Sequence, residues 1–246
     1  EVRTLRAPVH SGLFGGAAPD ALIALTRMLA TLHDDAGDVA VEGLVRQGWD
    51  GRPVEEAVLR DAAGVLDGVG LVGAGPVAER LYTRPSITAI GLDAPPVDGA
   101  ANALVPAARA RLSARLAPGQ DPAAAQIAIS EHLRRVAPWG VEVGLTPGEA
   151  APGALLAGGG PGEAAAVRAL EGAYGKAPVK VGSGGAIPLC VLLAQAYPDA
   201  EIILWGAADD AAQIHAADES VDLGDLRRAT LAQVLLLQDL GRAGRG

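Results

Sequence analysis

Four histidines, a single cysteine and a few glycine-rich turns carry most of the chemistry open to this 246-residue chain. Gly73-Ala-Gly75-Pro-Val-Ala78 follows the apolar stretch Val69 to Val72, and Asp93 stands 20 residues after Gly73. Taken literally this is a dinucleotide fingerprint: a tight glycine turn, a pyrophosphate on a helix N-terminus and an acid for the ribose. The helix it would open is squeezed between Pro76 and Pro85, and Pro76 stands where the turn should donate amides. A plain glycine turn is the alternative. His33-Asp34-Asp35 has a spacing used by metal sites, yet it ends an amphipathic stretch, where histidine suits the helix dipole and aspartate suits a turn. Glu55-Glu56 reads as surface charge at a helix start. Gly182-Ser183-Gly184-Gly185-Ala186-Ile187-Pro188 joins a strand pattern to a helix pattern, so its free amides can converge on an anion. His215 lies among Asp209, Asp210, Asp218 and Glu219 beyond a strand pattern, a setting suited to a metal ligand. His132, on a helix without a partner nearby in sequence, reads as structural, and His10 is ambiguous on its own.

The elements that must position these groups follow from hydrophobic period. Leu22, Leu25, Leu29 and Leu32 make one stripe of a helix over Pro19 to His33. Further helices are expected from Pro53 to Leu66, Asp121 to Val136, Glu163 to Tyr174, Ile187 to Ala196 and Asp225 to Leu240. Strands are expected over Val39 to Val45, Ile87 to Leu92, Ala107 to Leu116, Val141 to Leu145, Pro178 to Val181 and Ala200 to Trp205. In the strand Ala107 to Leu116 the period of two puts Arg109, Arg111 and Arg115 on one face and an apolar row on the other. The Gly/Ala/Pro-rich stretch Ala150 to Gly162 is a candidate boundary, and the alternation beyond it suggests α/β layering.

Composition narrows the possibilities. Half of the residues are hydrophobic, enough for a sizeable core, but there are only three Trp, three Tyr and one Phe to fill it. A net charge of −9 argues against a nucleic-acid partner. Lone Cys190 excludes a disulfide framework or a cysteine zinc cluster. The longest apolar run, Ala186 to Ala194, is far short of a membrane span. The chain opens Glu1-Val2-Arg3 without an initiator Met, and the expectation is a piece of something longer.

Six stretches in order carry a resemblance: His10-Ser-Gly-Leu-Phe14-Gly-Gly, Arg84-Pro85, Asn102-Ala-Leu-Val-Pro106, Ser113-Ala-Arg115-Leu-Ala-Pro118-Gly, Gly182-Ser-Gly-Gly-Ala-Ile-Pro188 and Ile214-His215-Ala-Ala-Asp-Glu219. Together they resemble the dinuclear zinc peptidases that include carnosinase-type dipeptidases, aminoacylase and succinyl-diaminopimelate deacylase. The resemblance implies an α/β protein of two domains: residues 1–155 a dimerising α+β lid of antiparallel sheet with helices, and residues 156–246 the C-terminal part of an α/β catalytic domain. It implies a cytoplasmic homodimer that hydrolyses a dipeptide or an N-acyl amino acid, with two zinc ions per site or manganese or cobalt in their place. His215 would be a metal ligand, and His10 would reach into the partner's site to hydrogen-bond the developing oxyanion. Arg115 with Asn102 would hold the substrate's carboxylate, a task suited to a guanidinium fork, and the amides of Gly184 and Gly185 would line the same pocket.

Two departures stand out. Ala186 occupies a position where the family has Ser, which removes a hydroxyl donor. The other metal ligands and the catalytic Glu lie upstream of the His-Ser-Gly motif in the family, and Glu1 to Val9 do not match them. The chain alone is therefore expected to be inactive. The competing expectations are a non-catalytic dimerisation module and a dinucleotide-binding protein using Gly73 and Gly75.

Overall fold

The computed structural model describes residues 1–49, 51–151, 159–179, 181–182, 187–209, 211–214 and 216–243. The chain forms two compact units. One is built chiefly from Glu1–Pro53 and Asp67–Gly153, the other chiefly from Val54–Leu66, Ala154–Val181 and Ile187–Gly246.

The first unit mixes helices and antiparallel strands. In chain order it contains β1 (Val2–Arg3), β2 (Val9–His10), α1 (Ser11–Phe14) and α2 (Ala21–Ala30), and the short α3 (Glu56–Ala62) of the second unit comes next. It resumes with α4 (Val77–Tyr82), β3 (Ser86–Asp93), β4 (Ala103–Leu104), β5 (Ala107–Arg115), α5 (Pro122–Arg135), a 3-10 turn over Pro138–Gly140 and β6 (Glu142–Val143). Four strands form a sheet in the order β3-β5-β1-β6, with antiparallel neighbours throughout. Read along the chain, this is strand–helix–strand, strand–helix–strand, the split β-α-β arrangement. A separate two-stranded ribbon pairs β2 with β4.

Local chemistry explains the elements. The Asp20 carboxylate accepts from the Ile23 amide at 2.9 Å and caps α2. The Leu stripe then turns Leu25 and Leu32 into a core with Met28, Val2, Ile87, Ala108 and Leu133. Asp121 caps α5 in the same way, with Pro122 in the first turn. On β5 the expected alternation holds, with Ala108 buried and Arg109, Arg111 and Arg115 exposed. A bulge on β3 between Ala89 and Gly91 leaves Ile90 without a register partner on β5.

The expected strand Val39 to Val45 does not form; only Val39 makes a bridge, to His33. Val39 and Val41 are buried in the core, but side chains do the work of a ladder. The carbonyl of Val39 accepts from the Arg46 guanidinium, and the Val45 amide donates to Gln120 Oε1 at 2.6 Å.

The second unit contains α3, α6 (Pro161–Tyr174), α7 (Pro188–Ala196) and α8 (Leu223–Ala243). Ala165, Ala166 and Ala169 on α6 and Ala229 and Ala232 on α8 are buried, small enough to let two helix backbones approach. Arg168 bonds Asp239 across the pair at 2.7 Å. The strands expected over residues 178–181 and 200–205 are absent among the described residues. A strand needs a neighbour to complete its backbone hydrogen bonds, and the described residues of this unit supply none. The Glu201 carboxylate instead accepts the Gly162 and Glu163 amides at the α6 N-terminus, at 2.5 and 3.2 Å.

Candidate functional site

His10 and Asn102 are 92 residues apart in sequence, and the β2–β4 ribbon sets them side by side. His10 pairs with Ala103, Val9 pairs with Leu104, and the Ser11 amide donates to the Asn102 carbonyl at 2.9 Å. Both side chains are exposed. The ribbon is anchored from behind by Asp20, whose second carboxylate oxygen accepts the Val105 amide at 2.6 Å, while Ala21 donates to the Val105 carbonyl at 2.9 Å. One aspartate thus caps α2 and fixes the strand that follows Asn102, a double role that the sequence does not reveal. Its visible signal is an N-cap residue before an apolar stripe, which reveals only the first half of the job.

Arg115 lies elsewhere. It is the last residue of β5 and pairs with Ser86 on β3. Eight strand steps at about 3.3 Å put it about 26 Å along the strand from Ala107. His10 and Asn102 lie beyond the Ala107 end, because the pairings Val2–Ala108 and then Val9–Leu104 carry the two chain segments onward in that direction. Within one chain, then, His10 and Asn102 come together and Arg115 does not join them. Of the three arginines on that face, Arg109 is neutralised by Asp93 at 2.6 Å. Among the described residues no hydrogen bond or ion pair engages the side chain of Arg111 or Arg115, which leaves each fork available to a carboxylate.

Gly184, Gly185 and His215 lie outside the described residues, as do Ser183 and Ala186. Among the described residues, no three His, Cys, Asp or Glu side chains come together in a way that could hold a metal ion. Nor is any helix there long and apolar enough to cross a membrane.

The context needed by the dinucleotide reading is missing. Residues 69–72 form no strand, and α4 has six residues. Gly73 and Gly75 both adopt positive φ, 81° and 80°, a backbone that favours glycine. The turn they make is closed by the protein's own groups. Asp38 accepts the Ala74 amide at 2.9 Å, and the Gly73 amide donates to the Ala36 carbonyl at 2.6 Å. Arg84 donates to the Ala74 carbonyl and pairs with both Asp38 and Glu79. A carboxylate of the chain fills the place that a phosphate would need. Asp93, the would-be ribose acid, is held by Arg109.

His132 is buried, and a threonine 101 residues away explains it. Thr31 Oγ1 donates to the Met28 carbonyl at 2.7 Å and faces His132 Nε2 at 3.0 Å, while Arg135 approaches Nδ1 at 3.3 Å. That pattern suits a neutral ring protonated at Nε2. Burial, and then the adjacent Arg135 charge, lower the His132 pKa, against smaller opposing effects of Thr31 and Glu42.

Comparison with known proteins follows the same outline. The M20 peptidase dimerisation domain profile matches residues 1–141. A cysteinylglycine-S-conjugate dipeptidase of Corynebacterium striatum is 39% identical over 252 residues, covering 98% of this chain and 54% of that protein. Among solved structures, the di-peptidase Dug1p of Saccharomyces cerevisiae superposes with a TM-score of 0.75 at 20% identity, over 96% of this chain and 52% of its own. Human carnosine dipeptidase 1 gives 0.73 at 17%, over 98% and 53%. An M20 family metallo-carboxypeptidase of Sulfolobus solfataricus gives 0.74 at 20%, over 96% and 56%. The chain spans about half the length of the curated relative it matches.

Proposed function

This chain belongs to the M20 peptidase family, and on that premise we propose that it supplies the dimerising lid and the end of the catalytic domain of a metal-dependent dipeptidase or related amidohydrolase. The lid corresponds to residues 1–155 and the catalytic portion to residues 156–246. The substrate is a dipeptide or N-acyl amino acid, the enzyme is a cytoplasmic homodimer, and the metal is zinc, with manganese or cobalt as substitutes. The dipeptidase relative and the dimerisation domain match support this reading. The described residues do not make a metal site by themselves. His215 is the one ligand assigned to this chain, and the other ligands and the catalytic Glu belong to polypeptide outside these 246 residues.

The observation that carries the site assignment is the separation of the His10–Asn102 ribbon from Arg115 along β5. His10 and Asn102 act together in the partner's site, where the imidazole donates a hydrogen bond to the oxygen on which charge develops. Arg115 grips the substrate's carboxylate in its own protomer's site, together with the amides of Gly184 and Gly185. Self-association uses β3. Of the two sheet edges, β6 offers two residues and β3 offers eight, with Ile90 and Leu92 exposed.

In the complete enzyme, His10→Ala should lower kcat by about 10²–10³, and Arg115→Ala should chiefly raise KM. Mixed dimers decide whether the two act across the interface. A dimer of one His10→Ala and one Arg115→Ala protomer contains one intact site and should regain about half of the wild-type kcat/KM. A dimer pairing His10→Ala with Asn102→Ala contains none and should regain nothing. Recovery in the second dimer, or an intact kcat in His10→Ala, overturns the assignment.

The match to the dimerisation domain alone also favours a second reading, a non-catalytic dimerisation module. Native mass spectrometry with zinc separates the two. The module predicts a dimer without stoichiometric metal or hydrolysis, even when the rest of a catalytic domain is supplied.

A further inference from the structure

We infer that Gly12 is the positioning residue for His10: its bare Cα is what allows the imidazole to fold back over the first turn of α1. This rests on the reading of His10 given above. A Cβ built on Gly12 would stand 2.9 Å from His10 Cε1 and 3.2 Å from Nδ1. The first separation is shorter than real Cβ contacts tolerate, and the obstructing atoms belong to the free end of a rotatable side chain. The ring, not the backbone, is what must move.

Nothing else about Gly12 calls for glycine. Its φ lies outside the left-handed region, it sits within α1, and it is exposed. Alanine is a better helix former than glycine by about 1 kcal/mol, so a purely structural view expects Gly12→Ala to be neutral or stabilising. The positioning role expects an intact fold with a displaced imidazole. His10 has no compensating tether: it occupies the N-cap position of α1, but its side chain makes no capping hydrogen bond. Ring placement therefore depends on the space above Gly12. A donor aimed at a developing charge loses most of its effect when moved by about an ångström.

The test compares ring placement with turnover. In the 246-residue chain, four histidines give a short list of imidazole Cε1–Hε1 NMR signals. Gly12→Ala should shift that of His10 and leave those of His33 and His132 in place, with an unchanged or higher Tm. In the complete enzyme the same substitution should lower kcat by about tenfold to a hundredfold with little change in KM, and add nothing further to His10→Ala. An unmoved His10 signal overturns the inference. A moved signal with unchanged kcat overturns the catalytic reading of His10 instead, and Gly12's catalytic relevance falls with it. Should Gly12→Ala unfold, the His10→Ala/Gly12→Ala double variant decides, because removing the ring removes the collision. A double variant as stable as His10→Ala supports the inference, and one that also unfolds overturns it.

Discussion

The two units of this chain spend their apolar residues differently. In the mixed unit, α2 and α5 lay Leu25, Met28 and Leu133 against Val2, Ile87 and Ala108 of the sheet. In the helical unit the buried positions are chiefly alanines, while Leu189 and Leu192 of α7, Tyr197 and Leu204 are 58–62% exposed. The first unit closes its own core. The second buries no comparable cluster of large side chains and leaves these four uncovered, and its segment 200–205 lacks strand partners among the described residues. The difference teaches where stability resides: in the half that carries His10, Asn102 and Arg115.

Substitutions can break that contrast. Met28 is 2% exposed, so Met28→Ala should cost about 2–5 kcal/mol in denaturant unfolding of the mixed unit. Leu192→Ala on α7, at 61% exposure, should change stability by no more than about 0.5 kcal/mol. Equal losses from the two would erase the contrast. An effect between these two is expected at the glycine turn, where Asp38→Ala takes the acceptor from the Ala74 amide and one of two carboxylate partners from Arg84, which keeps Glu79, at about 1 kcal/mol. An unchanged urea midpoint would show that the turn holds without it.

The smallest effect is pH linkage, with opposite signs in the two units. The folded pKa of His132 lies below its unfolded 6.5, because burial and Arg135 disfavour the imidazolium. The unfolded chain takes up that proton first, so the mixed unit has this stability in full above 6.5 and loses it as pH falls through that value. Tyr174 in the helical unit is raised above 10.0 by burial and then by Asp225. Its contribution is present below 10.0 and lost as pH rises beyond it. Urea midpoints followed across pH should lose their acid-side slope in His132→Gln and their alkaline slope in Tyr174→Phe. A slope that survives its substitution removes that group from the linkage.

Local signals in the sequence are legible. The Leu stripe led to α2, the Asp121-Pro122 start to α5, and the alternation from Ala107 to β5 with its exposed arginine row. What failed depends on distant partners. Val39 to Val45 has strand composition, but Gln120 and Arg46 satisfy its backbone groups instead of a neighbouring strand. Residues 200–205 have the pattern of a buried strand without a ladder to join. The site was half legible. The motifs single out His10, Asn102 and Arg115 as candidates through a family resemblance, yet the register that joins two of them and separates the third is a property of long-range pairing. The plain glycine turn at Gly73 is as expected, but its closing partner is out of local view, since Asp38 lies 35 residues before Gly73.

The bulge at Ile90 also limits what the β3 edge can recruit. A long flat edge is a template: each chain that adds to it presents a fresh edge to the next, and growth has no natural end. On β3 the regular ladder from Ser86 to Ala89 is interrupted before it resumes at Gly91, and a bulge coils a strand away from the plane that a third sheet would need. Two copies related by a twofold axis through β3 would cover that edge in both and leave only the two-residue β6 edges. In a pair formed through β3, the single extra residue would act as a stop signal for assembly, making that pair the terminus rather than the seed of a fibre.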